Sequence, residues 1–270
     1  MNRNAAIGVF DSGMGGLTVM RALCRALPRE RFIYLGDTAR LPYGTKSADT
    51  VKRYALQATE ALRRRGVKMI VLACNTASVA LPELQTAFAP LPVMGVIAPG
   101  ADAAIAATPA GPIAVIATEG TVKGGAYVRA IEARGRVGVV QQACPLFVPM
   151  SEEGLIAGPI ADAIAHRYLD PLLATVPRPK CLLLGCTHYP VLKDVIAKVA
   201  GDAIVLVDSA ETAARAAIKL LAENDLNADR SENGPPQFLV TDAPDRFARV
   251  GEIFFGQAID PGCVSLVDLQ

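Results

Sequence analysis

Met69-Ile-Val-Leu-Ala-Cys74-Asn75-Thr76 is the stretch on which the fold turns. Five apolar residues in a row, with no charge among them, read as a strand buried on both faces. The Cys-Asn-Thr that follows marks the point where the chain leaves the sheet for a helix. The stretch has a twin, Cys181-Leu-Leu-Leu-Gly-Cys186-Thr187, whose cysteine lies 112 residues after Cys74. Ile7-Gly-Val-Phe-Asp11-Ser12-Gly13 is likewise matched, 106 residues on, by Ile113-Ala-Val-Ile-Ala-Thr118-Glu119-Gly120. Two offsets that differ by one short loop predict two half-molecules of one design, each ending a strand on a cysteine followed closely by a threonine.

Outward from these segments, short apolar runs alternate with helical patterns. Residues 6–10, 32–35, 69–73 and 93–97 read as buried strands, and so do 113–117, 137–141, 181–184 and 204–207. The clearest helix spans 47–66. Ser47 caps it, and Val51, Tyr54, Ala55, Ala58, Ala61 and Leu62 share one face. Arg63 to Arg65 sit at its negative end and Gly66 stops it. Strand-helix alternation of this kind predicts an α/β protein whose parallel sheets are covered on both faces. Past Asp208 come a helical stretch at 209–223, a polar segment at 224–237, a strand at 238–241 and an amphipathic helix near 246–255. That tail is too small to stand alone and is expected to pack on the first half. The first domain is then 1–97 plus 209–270, and the second 98–208.

Composition narrows the function. At 270 residues, 51% of them apolar, the chain can bury a large core, and disorder is excluded as the main state. Lys plus Arg (27) nearly balance Asp plus Glu (26), so no global positive field favours general nucleic-acid binding. Mean hydropathy is positive, at +0.32. Residues 84–101 even lack charge, yet Pro90, Pro92, Pro99, Gly95 and Gly100 break that stretch, which suits a loop and a short strand rather than a membrane helix. Residues 7–10 are too short for a signal-peptide core, so a cytoplasmic protein is expected. Its six cysteines, in a chain too large to need disulfides, are then reduced thiols. With His166 and His188 as the only histidines and no Cys-x2-Cys pair, no metal site is expected.

The twin cysteines carry the chemistry. Ligand sites of open α/β sheets lie at the carboxyl ends of strands, where helix amides are expected to lower a thiol's pKa from about 8.5. A lone cysteine is more often a small buried hydrophobe, and Cys24, Cys144, Cys181 and Cys263 are read so. For Cys74 and Cys186 the repeat reverses that reading. Two thiols on one cleft suit proton exchange at carbon, one removing a proton from one face and the other delivering to the opposite face. A Cys-His hydrolase needs one cysteine and gives no reason for a second. Asp11-Ser12-Gly13-Met14-Gly15-Gly16 puts a carboxylate and a hydroxyl on a glycine-rich turn, but it lacks the G-x-G-x-x-G and Walker fingerprints of nucleotide binding. Asp11 suits a substrate ammonium or the orientation of Cys74. Leu41-Pro42-Tyr43-Gly44, taken alone, is an ordinary turn.

Together, Val9-Phe10-Asp11-Ser12-Gly13, Asp37-Thr38-Ala39-Arg40-Leu41-Pro42-Tyr43-Gly44, Ala73-Cys74-Asn75-Thr76-Ala77, Cys144-Pro145-Leu146-Phe147-Val148-Pro149 and Gly185-Cys186-Thr187-His188-Tyr189-Pro190 closely resemble the glutamate racemases of the aspartate/glutamate racemase superfamily. The resemblance runs in order over nearly the whole chain. It implies two similar α/β domains with parallel sheets related by a pseudo-twofold, with the active site in the interdomain cleft. It also implies interconversion of L- and D-glutamate without a cofactor, D-glutamate going to bacterial peptidoglycan, and a homodimer. Cys74 and Cys186 match the two acid/base thiols, Cys74 acting on the D-enantiomer and Cys186 on the L-enantiomer. Asp11, Glu152 and His188 match the supporting groups. Glu153 competes with Glu152, because Ser151 stands where a valine is expected. Asp11, Ser12, Tyr43, Gly44, Asn75, Thr76, Thr187 and His188 match the substrate contacts. An aspartate racemase shares the thiol frame and is the nearest alternative. Some glutamate racemases also bind DNA gyrase, and nothing in this sequence identifies such a surface. Activation by a peptidoglycan precursor goes with a long N-terminal extension in some relatives and is not expected here.

Overall fold

The computed structural model describes residues 2–135, 138–229 and 234–269. The first part of the chain supplies β1 (Ile7–Asp11), α1 (Leu17–Ala26), β2 (Phe32–Gly36), α2 (Ala48–Arg63), β3 (Met69–Leu72), α3 (Leu81–Ala87) and β4 (Val93–Gly95). The middle supplies α4 (Ile97–Ala107), β5 (Ile113–Ala117), α5 (Glu119–Lys123), α6 (Ala126–Glu132), β6 (Val139–Ala143), α7 (Phe147–Glu152), α8 (Pro159–Leu173), β7 (Cys181–Gly185), α9 (Lys193–Ala200) and β8 (Val205–Asp208). Then follow α10 (Ser209–Glu223), β9 (Gln237–Val240), α11 (Pro244–Phe255) and β10 (Val264–Leu266).

These strands form two parallel sheets, one in the order β10-β9-β2-β1-β3-β4 and one in the order β6-β5-β7-β8. The pattern β2-β1-β3-β4 therefore recurs as β6-β5-β7-β8. Even the register repeats: Ile7 lies beside Met69 in the first sheet and Ile113 beside Cys181 in the second, the residues that the sequence repeat aligns. Both strands that follow residue 208 join the first sheet, through β9 on β2.

Burial on both faces explains the unbroken apolar runs. Ile7, Val9, Met69 and Val71 enter a core with α1, α10 and α11, while their neighbours Phe10, Ile70 and Leu72 enter another with α2 and α3. In the second sheet Ala114 and Ile116 meet α7, α8 and α9, whereas Ile113 and Val115 meet α4 and α6. Side chains alternate across a strand, so each of these residues is apolar for a separate reason, at about 1.5–3 kcal/mol per fully buried large side chain. Ser47 caps α2, its Oγ accepting the Thr50 N–H at 3.3 Å.

Several expectations are corrected. Residues 84–101 are more than a loop and a strand: they hold the end of α3, all of β4 and the first turn of α4. Pro99 is tolerated as the third residue of α4 because the first four N–H groups of a helix have no internal partner. The strand expected at 137–141 runs from Val139 to Ala143, and Val137 itself lies outside the described residues, as do 230–233 of the polar segment. β10 was not anticipated. Cys263 is exposed rather than in the core, because it ends a turn ahead of this edge strand, where its Sγ lies 3.7 Å from Asp260. Among the described residues, no helix is long and apolar enough to cross a membrane.

Candidate active site

β3 and β7 occupy equivalent places in their sheets, and each is followed within two residues by a cysteine. Cys74 and Cys186 thereby line one narrow cavity between the two sheets. Ser12, Pro42, Tyr43, Gly44, Asn75 and Thr76 complete its first-half wall, and Thr118, Val148, Thr187 and His188 its second-half wall. The cavity measures about 40 Å³, room for only a few waters at roughly 10–15 Å³ of such space each. Wider grooves of about 280 to 490 Å³ open elsewhere, without either thiol.

Around Cys74 the contacts are short and mostly neutral. Its thiol lies 3.4 Å from Ser12 Oγ, and the Ala77 N–H points at its sulfur, also at 3.4 Å. The amide is the helix-end donor expected from the sequence, yet the thiol is not made acidic. Burial, with the nearby Asp11 carboxylate, pushes Cys74 up to about 12, and the two hydrogen bonds only partly offset this. Asp11 is fully buried; its Oδ2 accepts the Gly13 N–H at 2.9 Å, while Oδ1 has no protein partner. Burial raises the Asp11 pKa against the opposing pull of His188 and of three backbone amides.

Around Cys186 the contacts are ionic. His188 Nδ1 lies 3.9 Å from the Cys186 sulfur, and its Nε2 lies 3.2 Å from Glu152 Oε1. Burial opposes a charge on His188, but Cys186 and Glu152 outweigh it and hold the imidazole at about 10. Glu152 is partly buried, which works against its charge, yet His188 and Arg246 hold it below the usual carboxylate range. Arg246 Nη2 donates to Glu152 Oε2 at 2.9 Å. Glu153, beside it, is exposed.

Contacts between the halves fix the walls. Thr18 Oγ1 donates to the Thr187 carbonyl at 2.8 Å, and Tyr127 Oη donates to Asn75 Oδ1 at 2.6 Å, leaving the buried Asn75 Nδ2 without a protein partner. Thr76, Thr118 and Thr121 form a hydroxyl triangle with sides of 3.1 Å. Tyr43 is held by a hydrogen bond from its hydroxyl to Asp37, which also pairs with Arg40. The glycine-rich turn has a steric purpose: any Cβ on Gly15 would run into His188 and Thr187, so the first half can approach the second only over a bare backbone.

The structure gathers Ser12, Tyr43, Gly44, Cys74, Asn75, Thr76, Cys186, Thr187 and His188 on the cavity wall. Asp11 and Glu152 stand behind it, touching Gly13 and His188 respectively. Sequence reasoning passed over Pro42, Thr118, Val148 and Arg246. Thr118 had a visible signal, since the repeat aligns it with Ser12; Arg246 had none, lying 94 residues from its partner.

Comparison with known proteins shows the family and the fold. The Asp/Glu/Hydantoin racemase family model matches residues 7–217. A glutamate racemase of Geobacter metallireducens is 49% identical over 93% of this chain and 93% of its own, and one of Syntrophus aciditrophicus is 45% identical over 97% and 98%. Among solved structures, glutamate racemase from Francisella tularensis in complex with D-glutamate superposes with a TM-score of 0.90 at 38% identity, over 99% of this chain and 98% of that one. A Bacillus anthracis glutamate racemase isoform gives 0.93 at 36% identity, over 99% of both chains. Two like α/β domains with this family match define an amino-acid racemase, an isomerase. The chain belongs to the Asp/Glu/Hydantoin racemase family, and its close relatives support glutamate racemase function within it.

Proposed function

We propose that the protein interconverts L- and D-glutamate by two-base proton transfer at the α-carbon. The observation that carries this reading is that Cys74 and Cys186 line one cavity from equivalent strand ends of two like sheets. With D-glutamate bound, the Cys74 thiolate takes the α-proton, and the Cys186 thiol delivers its proton to the opposite face, giving L-glutamate and leaving a Cys186 thiolate. The reverse reaction exchanges the roles, so atoms and charge balance without a redox step. Burial disfavours an isolated Cys74 thiolate, and the substrate ammonium supplies the compensating charge as it enters. On the other side His188, held cationic by Glu152, faces Cys186. Asp11, behind the wall on the Cys74 side, acts on the ammonium through its charge rather than by contact, and Ser12, Tyr43, Gly44, Asn75, Thr76 and Thr187 surround the carboxylates with amide and hydroxyl donors.

Bound D-glutamate in the Francisella tularensis relative supports glutamate as the substrate. We propose in turn that the D-glutamate made supplies peptidoglycan synthesis in the cytoplasm. We place the domain division at 1–97 plus 209–270 and 98–208, on the strand membership of the two sheets. The test is loss of optical rotation from L-glutamate with EDTA and hydroxylamine present and no added cofactor. Activity destroyed by EDTA and restored by zinc would overturn the reading, and faster turnover of aspartate would replace the substrate.

A further inference from the structure

Cys74 and Cys186 stand on equivalent scaffolds, but the side chains behind Cys186 come from both halves of the molecule. His188 and Glu152 belong to the segment that carries the second sheet. Arg246 lies on α11, between two strands of the first sheet. The Glu152 carboxylate is divided between them: Oε1 faces His188 Nε2 at 3.2 Å, and Oε2 accepts from Arg246 at 2.9 Å. The Glu152 side chain is 12% exposed and that of Arg246 39%, so the pair reaches from the surface to the cavity wall. Two turns along α11, Phe254 sets its ring edge-on to His188, with centroids 4.9 Å apart.

We infer that Arg246 is a positioning residue for the racemisation, acting through Glu152 to keep the His188 ring aimed at Cys186 and so making α11 part of the proton-transfer apparatus. A carboxylate with one partner can rotate about its last bond. Held at its second oxygen by a guanidinium, it presents the first in a fixed direction to Nε2. Orientation of this kind governs proton transfer, because the donor and acceptor must lie within hydrogen-bond reach at the moment of reaction. The titratable and charged groups that face Glu152 are His188 and Arg246, and those that face His188 are Cys186, Glu152 and Asp11. Arg246 touches neither thiol in this arrangement; its influence is relayed.

The inference rests on the two-cysteine reading, with Glu152 in support of His188, and the experiment separates the two. The pH profile of kcat/KM for glutamate is measured for the wild type, Arg246→Gln, Arg246→Lys, Glu152→Gln and the Glu152→Gln/Arg246→Gln double variant, with thermal unfolding of each. Arg249→Gln, exposed on the same helix, serves as the control. Arg246→Gln is expected to lower kcat/KM at neutral pH about tenfold. It should also move the acid limb up by about half to one pH unit, since a carboxylate that loses a cationic partner binds its proton more tightly. Arg246→Lys should recover part of both effects, as a point charge without the fork. The double variant should be no slower than Glu152→Gln, because the arginine acts only through the carboxylate. Lowered unfolding temperature with an unmoved profile in Arg246→Gln would make the pair a mere structural tie and overturn the inference, provided Glu152→Gln does change the profile. A silent Glu152→Gln would overturn the role of Glu152 and the inference with it.

Discussion

The two strand ends that carry Cys74 and Cys186 share sheet position, register and chain direction, yet their surroundings differ in kind. Beside Cys74 are a serine, an amide and a carboxylate, with no cationic side chain bonded to it among the described residues; beside Cys186 is a histidine backed by a glutamate and an arginine. Repetition of a fold thus repeats where a thiol stands without repeating how its proton is held. The reason is steric as well as electrostatic. Thr187-His188 projects into the first half over Gly15, and the corresponding Asn75-Thr76 meets Tyr127 and the two threonines of the second half. One side therefore relies on charge brought by the substrate, and the other on charge the protein supplies.

The largest expected effect breaks both sides at once. Cys74→Ala and Cys186→Ala should each lower racemisation by about 10³-fold or more, near the upper range for loss of a general acid or base. Enantiomers have equal free energy, so kcat/KM must be the same in both directions for any variant, and the two sides are told apart by isotope exchange instead. Cys74→Ala should exchange the α-hydrogen of L-glutamate from heavy water, and Cys186→Ala that of D-glutamate; the reversed preference would exchange the two assignments.

Next in size, Asp11→Asn and His188→Asn should each slow turnover about 10²-fold. Their pH responses should differ. His188 is held near 10 in the folded protein against 6.5 for a free histidine, so its contribution to stability is complete below about 6.5 and is lost as pH rises toward 10. Thermal unfolding between about pH 6.5 and 8 should fall in the wild type and fall less in His188→Asn, while Cys74→Ala should keep the wild-type slope there, because a thiol raised to about 12 costs stability only above about pH 9. An equal slope in wild type and His188→Asn would remove the charge from the Cys186 side.

A smaller effect concerns access. At about 40 Å³ the cavity is tight for glutamate, and the sheets are expected to part on binding, with hinges near 97–100 and 207–209 where the chain passes between them. Structures with and without glutamate should differ in interdomain angle. Smallest of all, iodoacetamide should modify exposed Cys263 first with no loss of activity, followed by slow inactivation that glutamate retards. Inactivation in step with Cys263 would place a needed thiol outside the cavity.

Much of this was written into local sequence. Runs such as Met69–Leu72 and Ile113–Ala117 are apolar at every position because both faces are buried, and their repetition foretold the shared strand order. The start of α2 was visible in Ser47, whose cap bond forms within four residues. What escaped depends on contacts distant in sequence. Burial of Cys74 beside Asp11 reversed the acidity that its flanking amide suggested, and a one-residue pattern cannot show how much water a site excludes. Helix α4 was masked by Pro99, permitted there only by its place in the first turn. Arg246 reads as one more surface charge on an amphipathic helix until the fold brings α11 across to Glu152.

The bare backbone of Gly15 against the His188 ring has a consequence for the resting enzyme. The wall that dries this imidazole comes from the first half of the molecule, and so do the edge of Phe254 and, through Glu152, the grip of Arg246. Were the halves to part to admit an amino acid, these would withdraw together, while Cys186 and Glu152, which share the histidine's half, would stay beside it. An open cleft would then keep the proton and lose its bearing: the ring would turn in water until the walls met again and fixed its aim.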